Sequence, residues 1–155
     1  MGKFSADITK FVKVTKVSAD LVVRKLSLDA YTGVLMRSPV DTGRFRANWR
    51  VTVSTGAPDT RTADNPAGAG EVEYGDPPSP REVQLIDNKL KGAKFGTAVV
   101  ISNNLPYAQP LEDGWSKQTN NQPGGILAAT FEEIKRNFGN SVAKAMRAAR
   151  GRGEL

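Results

Sequence analysis

A chain of 155 residues is long enough for one domain with a real core and too short for two comfortable ones. It carries 22 lysines and arginines against 16 aspartates and glutamates, with a pI near 9.7 and a mean hydropathy of -0.40. That charge suits an acidic partner or nucleic acid, and no apolar run approaches the roughly 20 residues that cross a bilayer. Cysteine and histidine are both absent, which excludes disulfides, thiolate nucleophiles, Cys/His zinc sites and imidazole acid–base chemistry. The expectation is a single domain over residues 1–155, with no catalytic residue, no cofactor and no bound metal. Met1-Gly2-Lys3-Phe4-Ser5 has no apolar signal core, so the expected place of synthesis is a cytosol, with no membrane association.

From about Ser5 to Arg37 apolar residues recur at helical spacing on two lines. Val14, Val17, Leu21, Leu28, Tyr31 and Leu35 form one line. Val12, Ala19, Val23, Leu26, Ala30 and Val34 lie nearly opposite, with Lys10, Lys13, Lys16, Asp20, Arg24 and Ser27 as a polar seam between them. A helix on the surface of a monomer needs one apolar face. The second face is therefore covered by the chain's own C-terminal helix or by a neighbouring subunit, which would touch Val12, Val23 and Leu26. Ser38-Pro39 stops the helix, since proline has no N–H and disfavours helical angles in the residue before it. In the turn Val40-Asp41-Thr42-Gly43, Gly43 is free to take positive φ and Asp41 to bond nearby backbone N–H groups.

Phe45, Ala47, Trp49, Val51 and Val53 alternate with Arg44, Arg46, Asn48, Arg50 and Thr52, which reads as a strand over Arg44–Val53. Residues 54–70 are rich in glycine, proline and aspartate without apolar periodicity, and read as a long flexible loop. Glu71 to Tyr74 reads as a short strand. Ser79-Pro80-Arg81-Glu82 reads as a helix start with Pro80 at the first helical position, and Val83, Ile86 and Leu90 follow on one side. Thr97–Asn103 is a buried-type strand, after which Pro106 blocks continuation. The last helix runs from about Gly125 to Ala149 with Leu127, Phe131, Ile134, Phe138, Val142, Ala145 and Ala149 on one stripe. Gly139 within it calls for a close contact or a bend. Lys135, Arg136, Lys144, Arg147, Arg150 and Arg152 make the end basic, with a tail over about 149–155. The expected fold is α+β: a small antiparallel sheet packed by a long N-terminal and a long C-terminal helix, with the flexible loop between strands.

Two segments are more specific. Arg37-Ser38-Pro39-Val40-Asp41-Thr42-Gly43-Arg44-Phe45-Arg46-Ala47-Asn48-Trp49 joins the first helix to a strand. Ile101-Ser102-Asn103-Asn104-Leu105-Pro106-Tyr107-Ala108-Gln109-Pro110-Leu111-Glu112-Asp113-Gly114-Trp115-Ser116 follows the later strand. Their order and separation resemble the tail-completion and neck proteins of tailed bacteriophages, also called head–tail joining or minor tail proteins. The resemblance implies a structural virion protein that forms a homo-oligomeric ring in the neck or at the head-proximal end of the tail. Six copies would suit a tail-end ring and twelve a ring on the connector. Implied neighbours are connector or adaptor, tail terminator or tail tube proteins, with DNA in the channel as a non-specific neighbour. The host cytoplasm would be the place of assembly and the virion the destination. Pro39, Asp41, Gly43, Pro106 and Gly114 are then turn-forming residues. Arg44, Arg46, Tyr107, Glu112 and Trp115 are interface candidates, with Glu112 placed to pair with Arg44 or Arg46.

Other chemistry fits less well. Asp41-Thr42-Gly43 matches the aspartic-protease tripeptide, but that dyad needs two carboxylates sharing a proton, and Arg44 beside Asp41 favours the ionised form. No glycine pattern cradles a phosphate. Asp59 and Asp64 lack calcium-loop spacing, and Glu132 and Glu133 point about 100° apart on a helix. The alternative from another class is a small basic nucleic-acid-binding module using Arg44, Arg46, Arg50 and the C-terminal tail.

Overall fold

Helix α1 (Gly2–Arg37) and helix α5 (Leu127–Gly151) flank a two-stranded antiparallel sheet in an open α+β arrangement. The structure, a computed structural model, describes the backbone of residues 2–53, 61–62 and 72–154 and the side chains of residues 18–53, 61–62 and 72–154. The side chain of Val12, and the loop expected over 54–70 apart from Arg61 and Thr62, lie outside the described residues.

At about 1.5 Å per residue, the 36 residues of α1 span about 54 Å and the 25 of α5 about 37 Å. The two helices run antiparallel: Arg37 pairs with Glu133 near one end, and the Ser141 hydroxyl donates to Asp29 (2.7 Å) further along. Between these contacts a Cβ added to Gly33 would sit 2.6 Å from the Thr130 methyl, so the glycine sets how closely the helices approach. The buried Thr130 hydroxyl is satisfied by the Ile126 carbonyl at 2.6 Å. Small residues thus make this seam: of the apolar stripe expected for α5, Ala145 and Ala149 are buried and Leu127 packs on the core, but the two large rings turn outward. Ser141, Ala145 and Ala149 are buried, whereas Phe131 and Phe138 are 58% and 51% exposed. Among the described residues nothing lies within 4 Å of where a Cβ on Gly139 would be, so no close packing with them accounts for that glycine.

The core gathers Tyr31, Val34 and Leu35 of α1, Phe45, Trp49, Val51, Leu105 and Ile126, and Ile86 and Leu90 of the helix over Pro80–Leu90. Tyr31 and Leu35 belong to one apolar line of α1 and Val34 to the other, so at this end the chain covers both faces itself. Helix α3 (Pro80–Leu90) starts as its sequence dictates. Ser79 Oγ accepts from Glu82 N, Ser79 N donates to Glu82 Oε2 (2.7 Å), and Pro80 occupies the first turn. The loop after α3 is tied to the polar seam of α1: Arg24 donates to the Ala93 carbonyl (3.2 Å), and Phe95 N donates to Asp20 (2.7 Å).

Strands β1 (Arg50–Val53) and β2 (Val99–Ser102) pair with Val51 opposite Ile101 and Val53 opposite Val99, all four packed toward the core. Two sequence expectations change here. The strand read over Arg44–Val53 begins only at Arg50, because Arg44–Ala47 forms a helical turn, α2. Gly43 adopts φ 77, Ala47 N bonds to the Gly43 carbonyl (3.0 Å), and Asn48 Nδ2 donates to the Arg44 carbonyl (2.8 Å). That turn buries the adjacent residues Phe45 and Arg46 together, which a strand would place on opposite faces. In the segment read as the strand Glu71–Tyr74, residues 73–76 form a turn, with Glu73 N donating to Asp76 Oδ2 (2.8 Å) and Gly75 at φ 93.

The core makes one pH-dependent contribution. Burial first, then the charge of Glu82, pushes the Tyr31 hydroxyl up to about 12 from 10.0, against the opposing pull of Arg50 and Arg46. The unfolded phenol ionises first, so this contribution is fully present below pH 10 and is lost as pH rises toward 12. Urea titrations across that range should show the parent losing about 2 kcal/mol more than Tyr31→Phe. Equal losses would place the ionising phenol elsewhere.

Candidate interaction site

The first motif is a folded turn held from inside. Ser38, fully buried, donates through Oγ to the Val34 carbonyl (2.6 Å) and accepts from Trp49 Nε1 (2.7 Å), so one hydroxyl closes the helix and satisfies the indole. Phe45 meets Trp49 edge-on, with centroids 5.8 Å apart and planes at 71°. Asp41 is exposed. Among the described residues no hydrogen bond to its carboxylate holds the turn, and Thr42 Oγ1 accepts from Arg44 N (3.5 Å) instead.

The second motif folds against the first. Asn103 Nδ2 donates to the Phe45 carbonyl (2.8 Å), and Tyr107 lies 6.2 Å from Phe45, ring centre to ring centre. Gln118 grips Val40 on both sides, accepting from its N–H (2.6 Å) and donating to its carbonyl (2.7 Å), as a neighbouring strand would. Gln118 lies just beyond the second motif, and no sequence signal marked it. After Pro106 a short helix, α4 (Ala108–Glu112), leads to Gly114 at φ 93. A Cβ on Gly114 would sit 2.8 Å from the Asn121 carbonyl oxygen. Trp115 N bonds to the Pro110 carbonyl (3.1 Å), so the backbone beneath Trp115 is fixed while its side chain is 78% exposed.

Two of the interface candidates do other work. Arg46 is only 2% exposed and donates to the Asp76 (2.7 Å) and Pro77 (3.2 Å) carbonyls, anchoring the turn ahead of α3. Glu112 pairs with neither Arg44 nor Arg46. Its carboxylate accepts from Ile126 N (3.2 Å), Leu127 N (2.9 Å) and Ala128 N (3.2 Å), capping the start of α5. Helix α5 has no side-chain cap of its own at Ile126, so a residue from another element supplies one. Val23 is partly buried and packs against the core, and Leu26 is partly buried.

Arg44, Tyr107 and Trp115 remain together. With Pro39, Val40 and Lys117 they line a concavity of about 440 Å³ between the two motifs. A second concavity of about 360 Å³ lies on the other side of α4, walled by Phe45, Trp49, Leu105 and Leu127. A larger groove of about 590 Å³ runs between α1 and α5, where Lys25 pairs with Asp29 and Arg37 with Glu133. Among the described residues no cluster of three or more carboxylates could hold a metal ion, and no helix is long and apolar enough to cross a membrane. Compared with known proteins, the chain matches no family model, no curated sequence and no solved structure.

Proposed function

We propose that this chain is a non-catalytic structural subunit of a tailed-bacteriophage virion, forming a homo-oligomeric ring that joins the head connector to the tail. One observation carries the reading. The two segments that resemble neck and tail-completion proteins, distant in sequence, meet through Asn103–Phe45, with Gln118 just beyond the second also bonding Val40, and present Trp115 beside a shared concavity. A tryptophan so exposed on a fixed backbone is a ready anchor, because its ring offers a large apolar area with one polar handle and little side-chain entropy to lose. The nucleic-acid reading loses part of its surface, since Arg46 is buried and bonded to backbone. Arg44, Arg50 and the basic C-terminal residues remain to it.

Native mass measurement on the purified protein tests this. The expected result is a discrete particle of six or twelve copies of the 16.7 kDa chain, alone or on addition of connector or tail-tube protein. A chain that stays monomeric under all these conditions, yet shifts DNA in a salt-sensitive manner, would overturn the ring and favour the alternative.

A further inference from the structure

The concavity on the far side of α4 has the shape and chemistry of a receptor. Tyr107 and Leu111 face the Trp115 side, while Ala108, Gln109 and Glu112 line the other, as helical geometry separates them. Phe45, Trp49, Leu105 and Leu127 wall the concavity, with Asn103, Asn104 and Glu112 among its polar lining, and Gln109 commits its Nε2 to Asp113 (2.9 Å), which leaves the amide oxygen as an acceptor. From Leu127 the apolar surface continues along α5 to Phe131, four residues on and exposed. Exposed apolar surface joined to a cavity marks a place where another molecule docks.

We propose that this concavity seats Trp115 of a second copy of the chain, so that copies associate head to tail; the inference rests on the ring reading above. An indole has an apolar body and a single N–H donor, which matches a concavity of about 360 Å³ that sets the apolar Phe45, Trp49, Leu105 and Leu127 beside polar acceptors such as Gln109. Phe95, another exposed ring, has no donor to offer that acceptor. A chain cannot seat its own Trp115, because the Trp115–Pro110 bond and the contact of Gly114 with Asn121 hold that backbone on the opposite flank of α4. The charges lining the two sides are of opposite sign: Arg44 and Lys117 outnumber Asp41 on the donor side, and Glu112 lines the receptor. Knob and receptor on different faces of one chain make a heterologous contact, the kind that closes into a ring.

Two variants and one measurement on the parent test it. Trp115→Ala removes the knob and Gln109→Arg obstructs the receptor, both at exposed positions. Each folded variant should need a roughly 30-fold or higher concentration to assemble, the scale of a hot-spot aromatic. An equimolar mixture should form dimers and no ring, because one intact knob meets one intact receptor. In the parent, acrylamide should quench Trp115 but not the buried Trp49 in dilute monomer, and neither in the ring. Normal assembly of Trp115→Ala, or a ring in which one tryptophan stays quenchable, would overturn the seat and leave the ring reading standing. A mixture that stays monomeric would also overturn the seat. A parent that never assembles would overturn both.

Discussion

Arg46→Ala is expected to lower stability by about 3–5 kcal/mol in urea titration, although an arginine in a polar-looking turn suggests a surface residue. The loss has two sources. The Asp76 and Pro77 carbonyls would each lose a charge-assisted partner in a place where water cannot easily replace it. The side-chain stem, packed at 2% exposure, would leave a cavity. Arg46→Met separates the two, since it restores most of the volume and none of the hydrogen bonds. It should recover roughly half of the loss, and Arg46→Lys somewhat more, because an ammonium reaches one carbonyl but does not fork to both. A change below about 0.5 kcal/mol for alanine would show that the residue is solvated and free for an interface.

Glu112→Ala should cost about 2–3 kcal/mol, the upper end of capping effects, because one carboxylate serves three backbone N–H groups at the positive end of a long helix. The effect should be felt at two places. Amide exchange should quicken in the first turn of α5. The segment from Ala108 to Trp115 should loosen as well, with the Gly124 N–H bond to the Glu112 carbonyl (2.7 Å) as one of its remaining ties. Glu112→Gln keeps the shape and one acceptor oxygen and should cost about 1 kcal/mol. Assembly should fall with the folded fraction and no further. A Glu112→Ala chain that is fully stable yet fails to assemble would return the residue to the interface.

These two residues show where reading the chain as a string runs out. Arg46 and Glu112 were grouped as interface candidates because each lies in a motif and carries charge. Their partners are backbone atoms 30 to 31 and 14 to 16 positions away, and a backbone N–H or carbonyl carries no letter in the sequence. Gln118 belongs to the same class, since its partner is the peptide group of Val40. Trp115 and Tyr107, large rings beside proline and glycine turns, are exposed in the fold.

What the sequence determined by itself is whatever depends on neighbours within about four residues. Ser38-Pro39 ends α1, Ser79-Pro80-Arg81-Glu82 starts α3 with a reciprocal cap, and Gly43 takes the left-handed conformation that a side chain would resist. The absence of cysteine and histidine is equally local. What only the tertiary structure decided is which surfaces meet. Helical spacing puts Phe131 and Phe138 on one stripe of α5 with Ala145 and Ala149, and only the alanines of these four are buried. The α1–α5 seam closes on Gly33, Thr130, Ser141 and Ala145, because small side chains let two helices approach and leave the large rings outside. The alternation from Arg44 to Val53 misled for a related reason. Period-two spacing identifies a strand only if the chain extends, and Gly43 with Asn48 winds the first four residues into a turn before β1 begins. Local chemistry sets the ends of elements, but their faces are settled by contacts between residues far apart in the chain, whose spacing leaves no period to read.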